Sequence, residues 1–206
     1  AMAQTEVAQG RNADAKALSN ALTTHDGTQD RAAHGPALQR ILDTMRQWNG
    51  DAEDLLAQHR AQRRWISHDD QQALQDSRPS LDMDTAALHA LLNDRAAHAD
   101  EDEHEAALIE LDLWEQDWTG ACEAVNAQIL ANERNDARPL LDHVESRPLT
   151  DEQAHAVICF DNRVQVVAAA GSGKTSTLVA KAAYAIHRGY AEPRQIVMLA
   201  FNKDAA

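Results

Sequence analysis

The chain has 206 residues, and its 33 acidic side chains outnumber its 19 basic ones, giving a formal net charge of −14. Its longest apolar run is far shorter than the roughly 20 residues that cross a bilayer, which argues against a transmembrane helix and a membrane partner. The start shows no secretory signal, and the 2 cysteines have neither disulfide nor metal spacing. We therefore expect a cytoplasmic protein.

The charge divides the chain into two parts. Residues 1–150 carry 28 acidic and 13 basic side chains, whereas residues 151–206 carry 5 and 6. An acidic surface repels phosphate backbones, so any contact with nucleic acid is expected in the second part.

The first predicted elements are helical. Residues 1–34 are polar, alanine-rich and weakly periodic, which predicts a flexible lead-in. A helix is predicted to begin with Pro36 in its first turn and to end at Asn49-Gly50. The predicted N-caps of the three helices that follow are, in order, Asp51, then Ser67 or Asp69, then Asp82 or Asp84.

Further along, the acidic run at residues 100–105 is either a turn or the first turn of another helix. Six side chains then recur at heptad-like spacing: Leu111, Trp114, Trp118, Cys122, Val125 and Ile129. This spacing is typical of a seam against a partner helix. We predict an acidic helical or coiled-coil region over residues 35–143, folded as a helical hairpin or small bundle.

The pattern changes after Arg147-Pro148. A β-rich run at 163–168 leads into a glycine loop, helical spacing follows up to Gly189, and residues 195–200 have the pattern of a buried parallel strand. Strand, loop, helix and strand form the opening βαβ of an α/β domain. The predicted fold is therefore mainly α, followed by the opening βαβ of a P-loop NTPase (RecA-like) domain, incomplete, at residues 144–206.

The glycine loop, Ala168-Ala-Ala-Gly-Ser-Gly-Lys-Thr175, matches the Walker A pattern with alanine in place of the first glycine. Its glycines let backbone amides turn toward phosphate oxygens, and the helix start adds its positive dipole end. Lys174 is predicted to reach the β- and γ-phosphates of ATP and Thr175 to ligate Mg²⁺, so these two are the predicted catalytic residues. The rest of the predicted loop set comprises Ala170, Gly171, Ser172, Gly173 and Ser176.

A glutamine upstream of the loop has two interpretations. Thr150 is a good N-cap with Gln153 at the capping-box position, which is a structural role. The functional interpretation is that the Gln153 amide recognises adenine.

Three motifs together resemble the Q motif, motif I and motif Ia of superfamily 1 DNA helicases of the UvrD/Rep type. They are Leu149-Thr-x-x-Gln153, the loop that ends at Thr175, and Leu199-Ala-Phe-Asn-Lys-x-Ala-Ala206. Val144–Leu149 is also similar to the helicase IV branch of that family. The resemblance implies a contact of Gln153 with adenine, ATP and Mg²⁺ held at 171–175, and Phe201 and Asn202 against single-stranded DNA, where an aromatic face can stack on any base.

The resulting expectation is the N-terminal portion of an ATP-dependent DNA helicase that moves 3′ to 5′, as the family implies. Hydrolysis in this family also uses a later acidic strand and arginines from a second domain, so residues 1–206 are expected to be inactive alone. The alternative is an acidic helical module that docks on a basic protein partner, with a vestigial or regulatory nucleotide-binding segment.

Overall fold

A computed structural model describes residues 31–93, 101–144, 147–169 and 171–199, and over these ranges the protein is mainly helical. The helices are α1 (Arg31–Gln62), α2 (His68–Ser77), α3 (Thr85–Asn93), α4 (Glu101–Glu115), α5 (Trp118–Asp136), α6 (Arg138–Leu141), α7 (Asp151–Ile158) and α8 (Lys174–His187), with a 3₁₀ turn at Pro193–Gln195. No helix in the described ranges combines the length and the apolar character needed to pass through a bilayer.

The chain forms two compact units. The first comprises Ala1–Asp54 and Leu74–Trp118, and the second comprises Leu55–Ala73 and Thr119–Ala206. The second unit thus combines the predicted glycine loop with helices that precede it in the chain. The predicted domain boundary between residues 143 and 144 falls within this unit.

Helix α1 corrects three predictions. It begins at Arg31, inside the expected lead-in, whose residues 1–30 lie outside the described ranges, and it runs through Pro36 and Gly50 to Gln62. The expected start with Pro36 in the first turn, the expected end at Asn49-Gly50 and the expected cap at Asp51 are therefore wrong. The buried Asn49 side chain donates from Nδ2 to the main-chain oxygen and to Oε2 of Glu110, both at 2.9 Å. Buried hydrogen bonds of this kind outweigh the cost of about 1 kcal/mol of a helical glycine.

The first unit is centred on tryptophans. The ring of Trp48 meets those of Trp114 and Trp118 edge-on, with centroids 5.3 and 5.6 Å apart. The Arg78 guanidinium lies over two of these rings, 4.9 Å from the centroid of Trp48 and 4.3 Å from that of Trp114. These arrangements are favourable for aromatic quadrupoles and for a cation, so the rings serve as core packing.

The heptad-like residues are all buried, as their spacing predicts. Two helices carry them, however, because α4 ends at Glu115 and α5 begins at Trp118. In a continuous helix the carbonyl of Leu113 would accept from the amide of Asp117. Here it accepts from the indole Nε1 of Trp118 at 3.0 Å and from the Gln116 amide at 3.2 Å, which interrupts the ladder.

Local capping signals are confirmed. Ser67 Oγ accepts from the Asp70 amide at 3.1 Å, and Asp70 Oδ2 accepts from the Ser67 amide at 2.9 Å. Asp84 Oδ1 accepts from the Ala86 amide at 3.1 Å at the start of α3. The acidic run at 100–105 opens α4, as one of its two interpretations required. Short polar side chains thus determine these helix starts.

In the second unit, α7 packs against α8. Their contact belongs to a core whose buried members are Ala137, Leu141, Leu149, Ala154, Val157, Ile158, Ala180 and Tyr184. The end of α8 follows the prediction, since Gly189 has a φ of 69° and the Tyr190 amide donates back to Ala185 O at 2.8 Å. This is a Schellman C-cap, which satisfies carbonyl groups in the last turn of α8.

The predicted βαβ opening is not formed in the described part of the chain. Residues 163–169 and 196–199 are not paired as strands there, and Gln195 belongs to a 3₁₀ turn. Val167, Val197 and Leu199 are more than four-fifths exposed. A β-strand requires a neighbouring strand to satisfy its backbone groups, and strand-like composition does not supply one.

Candidate functional site

The glycine loop is a tight turn at the start of α8. Gly171 and Gly173 have φ angles of 77° and 83°, in the left-handed region that residues with a Cβ avoid. Ser172 closes the turn, since its amide and its Oγ both donate to Ala169 O, at 3.3 and 2.7 Å. The two glycines are therefore required by the backbone itself.

Helix α8 begins immediately after this turn with Gly173 as its N-cap. At the helix start, the Thr177 amide donates to Gly173 O at 2.9 Å. An α-helix leaves the amides of its first turn without intrahelical acceptors, and its dipole makes this end positive. The turn at 174–176 thus has the properties of an anion-binding helix start.

Two predicted catalytic side chains stand in this turn. Lys174 is exposed, and its Nζ donates to Ala168 O at 2.9 Å and Ala169 O at 2.7 Å. An ammonium group has three donors, so one remains beyond these two bonds. Thr175, the predicted Mg²⁺ ligand, is exposed on the same turn. The residues present are those that a triphosphate with a hard cation requires: backbone amides, a positive charge and a hydroxyl oxygen.

Gln153 joins α7 to this loop. Its Oε1 accepts from the Thr150 amide at 2.9 Å, completing a capping box in which Thr150 Oγ1 accepts from the Gln153 amide at 3.3 Å. Its Nε2 donates to Ser172 O at 2.9 Å. The capping interpretation of Gln153 is confirmed, and the contact with Ser172 is an addition that spacing did not predict.

The position of the Gln153 side chain gives a second reason why residue 173 is a glycine. A Cβ placed on Gly173 would lie 2.4 Å from Nε2 of Gln153, whereas a Cβ on Gly171 would have nothing within 4 Å. Gly173 therefore combines a left-handed backbone with a close approach of another residue.

A cavity of about 270 Å³ opens beside the loop. Its lining combines apolar and polar residues, which are Thr150, Glu152, Gln153, Ala156, Val166, Val167, Ala168, Ser172, Lys174 and Thr177. Gln153 and Lys174 therefore face one hollow. Apolar walls with a few convergent polar groups are typical of small-molecule sites.

Lys181 fixes α7 to α8 behind the cavity. Its Nζ donates to the carbonyls of Ala156, Val157 and Cys159 at 2.9, 3.4 and 2.6 Å, and it lies 5.0 Å from the ring centroid of Phe160. Burial lowers the pKa of this lysine, although the nearby Cys159 and Asp161 oppose the shift. The carbonyl end of a helix attracts a cation, so Lys181 serves as a C-terminal cap for α7.

A buried carboxylate on α5 contacts the other end of α8. Glu133 is 1% exposed, and its Oε2 accepts from Tyr184 Oη at 2.8 Å and lies 3.5 Å from Arg188 Nε. Arg188 also donates from Nη2 to Gln62 O at 2.9 Å. Sequence reasoning missed Glu133 and Lys181, because a single charged residue in a helix gives no sign of a partner many residues away.

The described residues thus bring together most of the predicted loop set. Gln153 and the segment 171–176 lie around one turn and its cavity. Ala170 and the two predicted DNA-binding residues, Phe201 and Asn202, lie outside the described ranges.

A glycine turn with a lysine and a threonine at a helix start is the arrangement expected of a P-loop. Residues 149–206 match the model of the UvrD/REP helicase N-terminal domain. This part of the chain is therefore similar to UvrD/REP helicases, which confirms the resemblance carried by the three motifs.

The relatives are DNA helicases. The chain is 52% identical over 63 residues to DNA helicase IV of Escherichia coli. It is 40% identical over 58 residues to a probable DNA helicase II homolog of Mycoplasma capricolum, and 34% identical over 64 residues to the ATP-dependent DNA helicase SRS2 of Saccharomyces cerevisiae. These alignments cover 31%, 28% and 31% of this chain but only 9%, 8% and 6% of the relatives. No solved structure matches the chain.

Proposed function

We propose that this chain supplies the ATP-binding loop of an ATP-dependent DNA helicase. The observation that carries the proposal is the turn at 171–174, where two left-handed glycines lead into a helix start that has no side-chain cap, with Lys174 beside it. That arrangement stabilises a polyphosphate through amides, dipole and charge together. The family match at 149–206 supports the same class of ligand.

The roles of the residues follow from their positions. The segment Gly171–Ser176 would surround the phosphates, Lys174 would neutralise the β- and γ-phosphates, and the Thr175 hydroxyl would ligate Mg²⁺. Gln153 faces the adjoining cavity, from which it would also contact adenine. Mg²⁺ bridging the phosphates would supply charge neutralisation there.

The exposed apolar segments fit the same proposal. Val166, Val167, Val197 and Leu199 have strand-forming composition and are exposed in this chain. We infer that they pair with further strands in a RecA-like domain, of which residues 144–206 are the opening part. Phe201 and Asn202 would then follow a strand end and meet single-stranded DNA, with movement 3′ to 5′ as the family implies.

Calorimetric titration of the 206-residue chain with MgATP tests the proposal. We expect binding that requires Mg²⁺, that is lost in Lys174→Ala and that weakens in Thr175→Ala. Arg194→Ala is the matched control, because Arg194 is 83% exposed and pairs only with Glu192 among the contacts described for it. We expect no appreciable ATP hydrolysis by this chain alone.

Equal binding by wild type and Lys174→Ala would contradict the proposal. In that case the acidic helical module that docks on a protein partner would become the better account of the chain.

A further inference from the structure

We propose that Gln153 is a positioning residue for the phosphate loop, which orients the loop backbone independently of any contact with a base. The inference rests on the proposed ATP binding and specifies how one residue of that site acts. It differs from adenine recognition, the role that the family resemblance implies, because it predicts an effect on the polyphosphate alone.

The amide of Gln153 is held in one orientation from both sides. Its oxygen accepts from the Thr150 amide and its nitrogen donates to Ser172 O, each at 2.9 Å. A flip of the amide would place its NH₂ group against the Thr150 N–H and its oxygen against the Ser172 carbonyl. Both new pairs would be repulsive, so only one orientation satisfies both neighbours.

The Ser172 carbonyl transmits this orientation to the loop. A trans peptide unit is planar, with its C=O and N–H pointing in opposite directions. When Gln153 holds the Ser172 carbonyl, it therefore turns the Gly173 N–H away from itself. Gly173 is also the residue whose missing Cβ allows the glutamine to approach. One hydrogen bond thus sets the direction of an amide in the phosphate-binding turn.

The frame that carries Gln153 is itself anchored. Lys181, on the helix that follows the loop, binds three carbonyls at the C-terminal end of α7. Ala154, Val157 and Ile158 of α7 are buried in the core shared with α8. Gln153 therefore reaches the loop from a helix that is fixed to the loop's own helix, so the hydrogen bond acts as a brace across the turn.

A base contact and this brace are compatible but separable. The Gln153 oxygen retains a second lone pair and the nitrogen a second hydrogen, so the amide can also reach a ligand. A base contact affects ligands with a base only. A brace affects every polyphosphate, because it acts on the loop backbone.

The test measures the dissociation constants of MgATP and of magnesium tripolyphosphate, which has no base, for the 206-residue chain. Gln153→Met removes both amide bonds at similar length. Gln153→Glu retains an oxygen acceptor for Thr150 and is the second variant, should the first fold poorly. Gln195→Met is the control, because Gln195 fills the same capping-box position after Glu192. The Gly173 amide resonance is recorded for each variant.

We expect Gln153→Met to weaken the binding of both ligands by a similar factor of about three to ten, the range that one hydrogen bond represents. The same variant should shift the Gly173 amide resonance. Gln195→Met should leave the two constants and the resonance unchanged. Weaker binding of MgATP with unchanged binding of tripolyphosphate would overturn the inference in favour of adenine recognition alone. Unchanged binding of both ligands would also overturn it. If the wild type binds neither ligand, the proposed function fails and this inference fails with it.

Discussion

Tyr184 donates a 2.8 Å hydrogen bond from its phenol to Oε2 of Glu133, a carboxylate that is 1% exposed. Tyr184 lies on the helix that starts at the glycine loop, whereas Glu133 precedes the helicase match that begins at residue 149. Helix α5, which lies outside the matched segment, is therefore tied to the loop helix α8 within one compact unit.

The first prediction concerns the stability of this unit. Tyr184→Phe should lower the free energy of unfolding by about 1–3 kcal/mol, because it leaves a buried carboxylate without its phenol donor. Urea denaturation measures the change. Glu123→Gln is the control, since Glu123 is an exposed glutamate on α5, the helix that carries Glu133. This variant should change stability by less than about 0.5 kcal/mol. A similar loss in both variants would mean that the hydrogen bond contributes little.

The second prediction is a pH dependence. Burial, followed by the hydrogen bond to Glu133, raises the pKa of Tyr184 above its ordinary value. A raised folded pKa gives a contribution that is complete below the unfolded value of about 10 and is lost as the pH rises beyond it. The wild type should therefore lose stability above pH ~10 more steeply than Tyr184→Phe. Unfolding curves collected at several alkaline pH values check this, and parallel profiles for the two proteins would refute it.

The third prediction compares two glycines with similar backbone angles. An alanine at either Gly171 or Gly173 would be held in the left-handed conformation that the turn requires, which costs about 1 kcal/mol. Only Gly173→Ala places a Cβ against Gln153. The side-chain amide resonance of Gln153 should therefore move in Gly173→Ala and stay in place in Gly171→Ala. Equal shifts would show that the backbone strain, and not the close approach, displaces the glutamine.

The fourth prediction separates two lysines of α8. Lys181→Met should lower the free energy of unfolding by about 1–3 kcal/mol, because it leaves carbonyls at the end of α7 without their charged donor. Lys174→Met should leave stability within about 0.5 kcal/mol of wild type, because Lys174 is exposed, while abolishing MgATP binding. Thermal unfolding and calorimetric titration of both variants test this. A loss of stability in Lys174→Met but not in Lys181→Met would contradict these roles of the two lysines.

Local spacing was enough to predict much of the candidate site. Thr150 and Gln153 cap α7, Ser67 caps α2 and Gly189 ends α8, as expected. Each of these features depends on atoms within about five residues, where the chain geometry leaves few alternatives. The left-handed angles at Gly171 and Gly173 belong to the same group.

Other features required knowledge of distant partners. Gly50 lies within a continuous helix, where Asn49 bonds to Glu110, and the apolar segments at 163–169 and 196–199 lack paired strands in the described chain. Composition gives the preference for a strand, but pairing depends on which neighbour is present.

The sequence by itself determined the glycine turn, the lysine and hydroxyl at the helix start, and the helicase motifs around them, because these are properties of consecutive residues. Only the tertiary structure decided that Glu133 holds Tyr184, that Lys181 caps α7 and that Gln153 bonds Ser172. Those contacts join residues 51, 22 and 19 positions apart, so they exist only after folding has brought distant parts of the chain together, and the contact of Glu133 with Tyr184 is then buried away from water.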